Sequence, residues 1–320
     1  MNNFWDKLPK PFFALAPMAD VTDAAFRRII CKYGKPDVTW TEFVSADGLV
    51  NSEGREALKI DLMYTEAERP IVAQLFSSNP VKMREACKFV AELGFDGIDI
   101  NMGCPDKSIE KQGAGAAIMK NMKVAGEIIQ AVKDGIADAG KSIPVSVKTR
   151  VGYNKVQIDE WVPFLLAQGI DALTIHARTR KEMSSVPARW EHVKEVVDIR
   201  NKMGVKTKIL GNGDVLDIDH ARKLAEETGC DGVMLGRAIF GNPWLFAGKK
   251  EIPLKEKLSV MVEHTKLYEE LLGKHKNFSI MKKHYKAYVN GWDGAKEFRM
   301  KLMEAENAGQ VKQIVQDFLS

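Results

Sequence analysis

From Ala172 to Leu235 the chain reads Ala172-Leu-Thr-Ile-His176, Glu191–Met203, Lys208-Ile-Leu210, Asp217–Glu227 and Gly232-Val-Met-Leu235. The three short runs are apolar and strand-like, while the two longer stretches space their apolar residues for one face of a helix. Such alternation implies a parallel sheet, because a parallel neighbour is reached only by a crossover connection. Upstream the rhythm continues. Phe13–Ala16, Val38–Thr41, Ile71–Phe76, Gly97–Asn101 and Pro144–Lys148 are strand candidates, separated by helix-like Asp23–Tyr33, Pro80–Leu93, Val124–Ala139 and Ile158–Ala167. Eight strands in a chain of 320 residues favour a closed TIM (β/α)8 barrel over an open doubly wound sheet.

Asn242-Pro-Trp-Leu-Phe246 and Gly248 read as the exit from the barrel, and no strand pattern follows Pro253. Leu254–Leu272, Ser279–Val289, Ala295–Glu304 and Val311–Leu319 are helical in pattern, with Gly273, Gly291, Gly294 and Gly309 between them. The expected division is a catalytic barrel over residues 1–248 and a small all-helical C-terminal domain over 249–320. Charge follows the same division. Of the 47 Lys+Arg and 43 Asp+Glu, 14 and 10 follow Gly248, so the whole formal excess of +4 lies in the tail. That is the asymmetry of a polyanion-binding module, although a solvated surface also produces it.

Hydrophobic residues at 45% and charged residues at 28% describe an ordinary soluble globular chain. No apolar run approaches the roughly 20 residues of a membrane-spanning helix. Met1–Lys10 lacks the basic start, apolar stretch and small-residue cleavage site of a signal peptide, so a cytoplasmic location is expected. A monomer with no membrane partner is the expected state. Cys31, Cys87, Cys104 and Cys230 form no CxxC pair, which argues against structural zinc or a disulfide framework, and no metal is expected. Cys31, Cys87 and Cys230 sit in helix- or strand-like runs and are expected to pack as core residues.

Chemistry in a TIM barrel sits where the strands end. Those positions hold Ala16-Pro-Met-Ala19, Gln74, Asn101-Met-Gly-Cys-Pro105, Lys148 and Arg150, His176 and Arg178, Gly211-Asn-Gly-Asp214, and Gly236-Arg237. The last two are glycine-containing turns after strands 7 and 8, where this fold binds phosphate, and Arg237 can add charge-assisted hydrogen bonds. Cys104 occupies a Gly-Cys-Pro turn at the barrel mouth. There it can serve as a nucleophile, a general acid or a small turn residue; an ordinary thiol is protonated at neutral pH and can donate.

These motifs, in this order, resemble the tRNA-dihydrouridine synthase family. The resemblance runs through Ala16-Pro-Met-Ala-Asp-Val-Thr-Asp23, Thr41-Glu-Phe-Val-Ser45, Gln74-Leu-Phe76, Asp99-Ile-Asn-Met-Gly-Cys-Pro105, Val147-Lys-Thr-Arg150 and Thr174-Ile-His-Ala-Arg-Thr-Arg180. Gly211–Asp214, Cys230–Arg237, Gly241-Asn-Pro-Trp244 and, in the tail, Lys283-His284, Tyr288, Gly291 and Arg299 extend it over nearly the full chain. Asp20 stands where glycine is common, and Met183–Trp190 lacks a Tyr-x-Gly pattern often seen there.

The resemblance implies FMN as cofactor, NADPH as reductant and tRNA as substrate. It sets Pro17, Met18 and Ala19 against the flavin ring, Gln74 at its polar edge and Lys148 near N1/O2. His176, Asn212, Gly213, Asp214, Gly236 and Arg237 would hold the ribityl chain and phosphate. Hydride adds at uracil C6 and an acid must protonate C5. Cys104 is the expected acid, with Asn101 and Arg178 orienting the base. A stacked base cannot reach a barrel mouth, so the target nucleotide would be flipped out; Lys282, Lys283 and Lys286, on a helix-like run, are expected to contact tRNA phosphates, the alternative being a solvated helix face. Two other readings stay open at this point: a flavin oxidoreductase of a free pyrimidine, resembling dihydroorotate dehydrogenases in layout, and a non-catalytic tRNA-binding factor.

Overall fold

The computed structural model describes residues 3–320; Met1 and Asn2, part of the stretch read for a leader, lie outside them. Eight strands form one sheet: β1 (Phe12–Leu15), β2 (Thr39–Ser45), β3 (Ile71–Phe76), β4 (Gly97–Met102), β5 (Val145–Arg150), β6 (Ala172–His176), β7 (Lys208–Asn212) and β8 (Gly232–Leu235). All neighbours are parallel and the order is β1-β8-β7-β6-β5-β4-β3-β2. Ala14 of β1 also forms a parallel bridge to Val38, and the Leu15 N–H donates to Val38 O at 3.2 Å, so the two ends of that order meet. The fold is a TIM-like α/β arrangement.

The helices between strands are α1 (Ala24–Gly34), α2 (Ala46–Val50), α3 (Ser52–Leu58), α4 (Pro80–Glu92), α5 (Lys107–Lys111), α6 (Met122–Asp138), α7 (Ile158–Ala167), α8 (Glu191–Met203) and α9 (Ile218–Thr228). Several starts follow side chains that satisfy free N–H groups: Asp23 caps α1, Asn79 with Pro80 starts α4, and Asp217 caps α9. Gly204 and Gly229 end α8 and α9 in the left-handed conformation. Helix faces and outward strand residues share one large core, from Leu15 and Phe26 round to Leu235.

Inside the ring lies a separate apolar cluster of Phe12, Ala14, Trp40, Val72, Leu210, Met234 and others. Its floor is Trp5, buried to 2% exposure on a short 3-10 turn, Phe4–Lys7, which has no counterpart among the expected elements. Asn3 caps that turn by accepting from the Trp5 N–H and donates to Asp171 at 2.7 Å. Most strand boundaries fall within two residues of expectation. Strand β2 runs to Ser45 instead of Thr41, with a register shift between Trp40 and Phe43, and Glu42 within it is buried. Cys87 and Cys230 are buried as expected, whereas Cys31 is only partly so.

The tail holds α10 (Leu254–Leu272), α11 (Ile280–Tyr288), α12 (Ala295–Glu304) and α13 (Ala308–Leu319). Helix α13 starts three residues before the expected Val311 and runs through Gly309, because Asn307 caps it by accepting from the Gln310 N–H. Leu258, Met261, Tyr268, Tyr285, Tyr288, Leu302 and Val311 make a second core. Ala25 and Ile29 of α1 and Trp244 belong to it too, so α1 serves both cores. Among the described residues no helix is long and apolar enough to cross a membrane, and no cluster suited to a metal ion is found.

Candidate active site

A cavity of about 790 Å³ opens at the C-terminal ends of β1, β5, β6, β7 and β8. Pro17 and Met18 form one wall, from the β1–α1 loop; Lys148, His176 and Arg178 come from β5, β6 and the segment after β6; Asn212, Gly213, Asp214, Gly236 and Arg237 come from the turns after β7 and β8. Ten residues expected from the sequence therefore share one cavity. Ala19 is exposed and lies outside the lining, and Lys282, Lys283 and Lys286 are on α11 in the tail.

Burial and the neighbouring Arg150 guanidinium push the Lys148 ammonium down to about 8, and its Nζ lies 3.4 Å from Asn212 Oδ1. His176 is held well below its ordinary value by burial and by the cations Arg150, Lys148, Arg178 and Arg237, so it is neutral at pH 7. A guanidinium can only donate, and Arg178 Nη1 lies 3.2 Å from His176 Nε2. That nitrogen therefore accepts, leaving the ring proton on Nδ1.

Asp214 stands in the left-handed region at φ 51° and its carboxylate accepts from Arg178, Arg237 and the Ala188 N–H. Burial raises its carboxyl, but these donors outweigh burial and leave it below the usual range. Gly213, at φ 127°, has no room for a side chain: a Cβ there would lie 2.8 Å from Ala188 Cβ. At Gly236 a Cβ would point between Ala16 Cβ and Met18 Sδ, at 3.6 and 3.7 Å. The two turns bring backbone close to the cavity, as a phosphate cradle requires.

Beneath the mouth a hydrogen-bonded line leads to Cys104. Asp99, buried inside the ring, accepts from Ser146 Oγ at 2.5 Å and Gln74 Nε2 at 2.6 Å. Burial pushes its carboxyl up to about 6. Gln74 accepts in turn from Asn101 Nδ2 at 3.1 Å, and Asn101 Oδ1 accepts the Gly103 and Cys104 N–H groups at 3.1 and 2.9 Å. Asn101 thus shapes the turn that carries the thiol. Cys104 is half-buried beside Phe76, Ile109 and Ala114, and the next residue, Pro105, lines the cavity. Burial pushes the thiol above its ordinary value against the opposing charges of Lys148 and Arg150.

Gln74 and Asn101 stand below the cavity surface, and Arg178 is committed to Val186 O, His176 and Asp214. Contact with a base or cofactor requires those bonds to be exchanged. Arg150 stands at a strand end with no role expected from the sequence. It donates to Gly103 O at 2.7 Å and to Thr179 O and Met183 O at 3.3 and 3.4 Å, tying the Cys104 turn to the segment after β6. The signal for that role was available, since Arg150 shares a strand face with Lys148 two residues away. Met183 and Ser184 also line the cavity, from the segment with no motif to mark it.

Comparison with known proteins bears on the family and the fold. Residues 14–320 match the family model described as dihydrouridine synthase. The chain is 40% identical over 320 residues to "Probable tRNA-dihydrouridine synthase 2" of Bacillus subtilis (strain 168), covering 99% of this chain and 97% of that protein. It is 40% identical over 322 residues to "Probable tRNA-dihydrouridine synthase" of Staphylococcus aureus (strain MRSA252), covering 99% and 96%. Among solved structures it resembles a 2-naphthoyl-CoA reductase in complex with 2-naphthoyl-CoA (TM-score 0.53, 12% identity, 73% of this chain and 49% of that one). A histamine dehydrogenase from Rhizobium sp. 4-9 is similar to the same degree (TM-score 0.53, 12% identity, 85% and 51%). At that identity the two structures bear on the fold alone. Carried by a match from residue 14 to the last residue, the chain belongs to the dihydrouridine synthase family.

Proposed function

We propose that this dihydrouridine synthase reduces uridine in tRNA, in the cytoplasm, with FMN as its resident cofactor and NADPH as reductant. The names of the relatives from Bacillus and Staphylococcus support tRNA as substrate. The residues at the cavity suit FMN. Pro17 and Met18 offer an apolar wall for the ring, and the Gly213 and Gly236 turns with Arg237 offer a cradle for the phosphate. Neutral His176, which lines the same cavity, carries its proton on Nδ1 and can donate one hydrogen bond. Lys148 supplies a fixed cation where negative charge gathers on a reduced ring system, the kind of preorganised charge that stabilises such a state. Bound there and recharged by NADPH, FMN supplies the hydride that adds at uracil C6.

Protonation at C5 falls to the protein, and Cys104 is the acid. The observation that carries this reading is its placement: a half-buried thiol at the end of β4, held by Asn101 and next to a cavity residue. Its raised pKa keeps the proton on sulfur at neutral pH, as a donor requires. Asn101, Gln74 and Arg150 act through this turn, and Arg178 acts through His176 and Asp214. Residues 1–248 do the chemistry. Residues 249–320 form a helical domain that grips tRNA by phosphate contacts and shape, with Lys282, Lys283 and Lys286 on one helix.

Dihydrouridine mapping in tRNA from cells lacking this gene tests the reading. One or more dihydrouridines are expected to vanish and to return with the wild-type gene but not with Cys104→Ala. An unchanged map contradicts the assignment to tRNA.

A further inference from the structure

The cavity wall formed by Pro17 and Met18 stands on the β1–α1 loop, and that loop is gripped from outside the barrel. Its apex, Asp20, has left-handed backbone at φ 53°, a conformation only some residues tolerate. The Asp20 N–H donates to Glu42 Oε1 at 2.6 Å. Glu42, 5% exposed in the middle of β2, accepts through its other oxygen from Lys276 Nζ at 2.8 Å. Lys276 also pairs with Asp61 at 2.6 Å. It belongs to the short connection between α10 and α11, which is itself fixed: Tyr268 Oη donates to Asn277 O at 3.0 Å and the Lys276 N–H to Leu272 O at 2.8 Å.

Nearby Asp23 is buried with one carboxylate oxygen lacking a hydrogen-bond partner. Lys276 is thus the cation paired with buried Glu42 and partly buried Asp61, and without it Glu42 would be an uncompensated buried charge. Nothing in the chemistry of the cavity needs that charge pair. It lies behind the wall and couples the tail to it.

We infer that Lys276 is a positioning residue for the cofactor cavity: through Glu42 and the Asp20 N–H it sets the loop carrying Pro17 and Met18. The seating of the tail helices then controls how tightly the barrel holds its flavin. The inference rests on the FMN reading above.

The test is FMN binding to flavin-stripped full-length protein, followed by quenching of flavin fluorescence, with the melting temperature recorded alongside. Wild-type protein that fails to bind FMN contradicts the flavin reading itself. Given wild-type binding, Lys276→Met is expected to raise the Kd about tenfold, the equivalent of removing one well-placed interaction. The exposed neighbour Lys274→Met, with the same change of charge, should stay within about twofold. In a Glu42→Gln background the Lys276→Met effect should shrink to about twofold or less, because the two residues act in series. A lowered melting temperature with unchanged Kd overturns the inference, as does an equal effect in both backgrounds. Should Lys276→Met not fold, Lys276→Gln, which can still donate to Glu42 but carries no charge, is read by the same criteria.

Discussion

The thiol of Cys104 stands in the turn that follows β4, where Asn101 Oδ1 accepts its backbone N–H and burial raises the thiol above its ordinary value, favouring the protonated form. A raised thiol pKa means the acid persists through neutral pH and is lost as pH rises through the folded value, above the ordinary 9.0. Lys148, pushed down to about 8, loses its charge first. The pH profile of kcat is therefore expected to fall in two alkaline steps. Cys104→Ala should lower dihydrouridine formation by roughly 10²–10⁴-fold, the usual worth of a positioned general acid. It should keep FMN bound and remove the upper step. Full activity in that variant removes the thiol from the chemistry. Other residues were illegible for a plain reason. Glu42 and Lys276 are 234 positions apart, and neither belongs to a motif that foretells their meeting.

Single elements were read well where local chemistry decides them. Asp23, Asn79-Pro80 and Asp217 announce helix starts because their side chains satisfy N–H groups within three residues. Reading failed where tertiary contacts override local signals, as at the N-terminal turn, whose Trp5 closes the bottom of the ring beside Phe12 and Trp40. Helix α11 shows both sides. Met281, His284, Tyr285 and Tyr288 are buried, while Lys283 and Lys286 are exposed and Lys282 partly so. Lys283 meets Asp20 at 3.3 Å, an exposed pair of small worth that a phosphate can displace. Replacing Lys282, Lys283 and Lys286 together by alanine is expected to raise the KM for tRNA. The salt dependence of tRNA binding should become shallower, by about 0.7–0.9 in the log–log slope for each phosphate that is no longer neutralised. Equal slopes for the two proteins, measured at several salt concentrations, would show a solvated face that does not touch tRNA.

Across the whole molecule, the alternation of strands and helices determines where the chemistry sits, because every strand end faces the same mouth. The basic excess lies in the tail, and the family match reaches residue 320, so barrel and tail both belong to the matched unit. Their junction was less visible: α1 packs on both cores, and Lys276 crosses from one to the other. The central claim is that this one chain takes a uridine out of tRNA and delivers hydride and proton to its C5=C6 bond. Its most direct test incubates the purified, FMN-loaded protein with NADPH and tRNA lacking modifications, then reads nucleoside masses. Uridines heavier by two hydrogens are expected at defined tRNA positions, with no conversion of free uridine under the same conditions. Conversion of free uridine with none in tRNA, or no conversion of either by flavin-loaded protein, would contradict the claim.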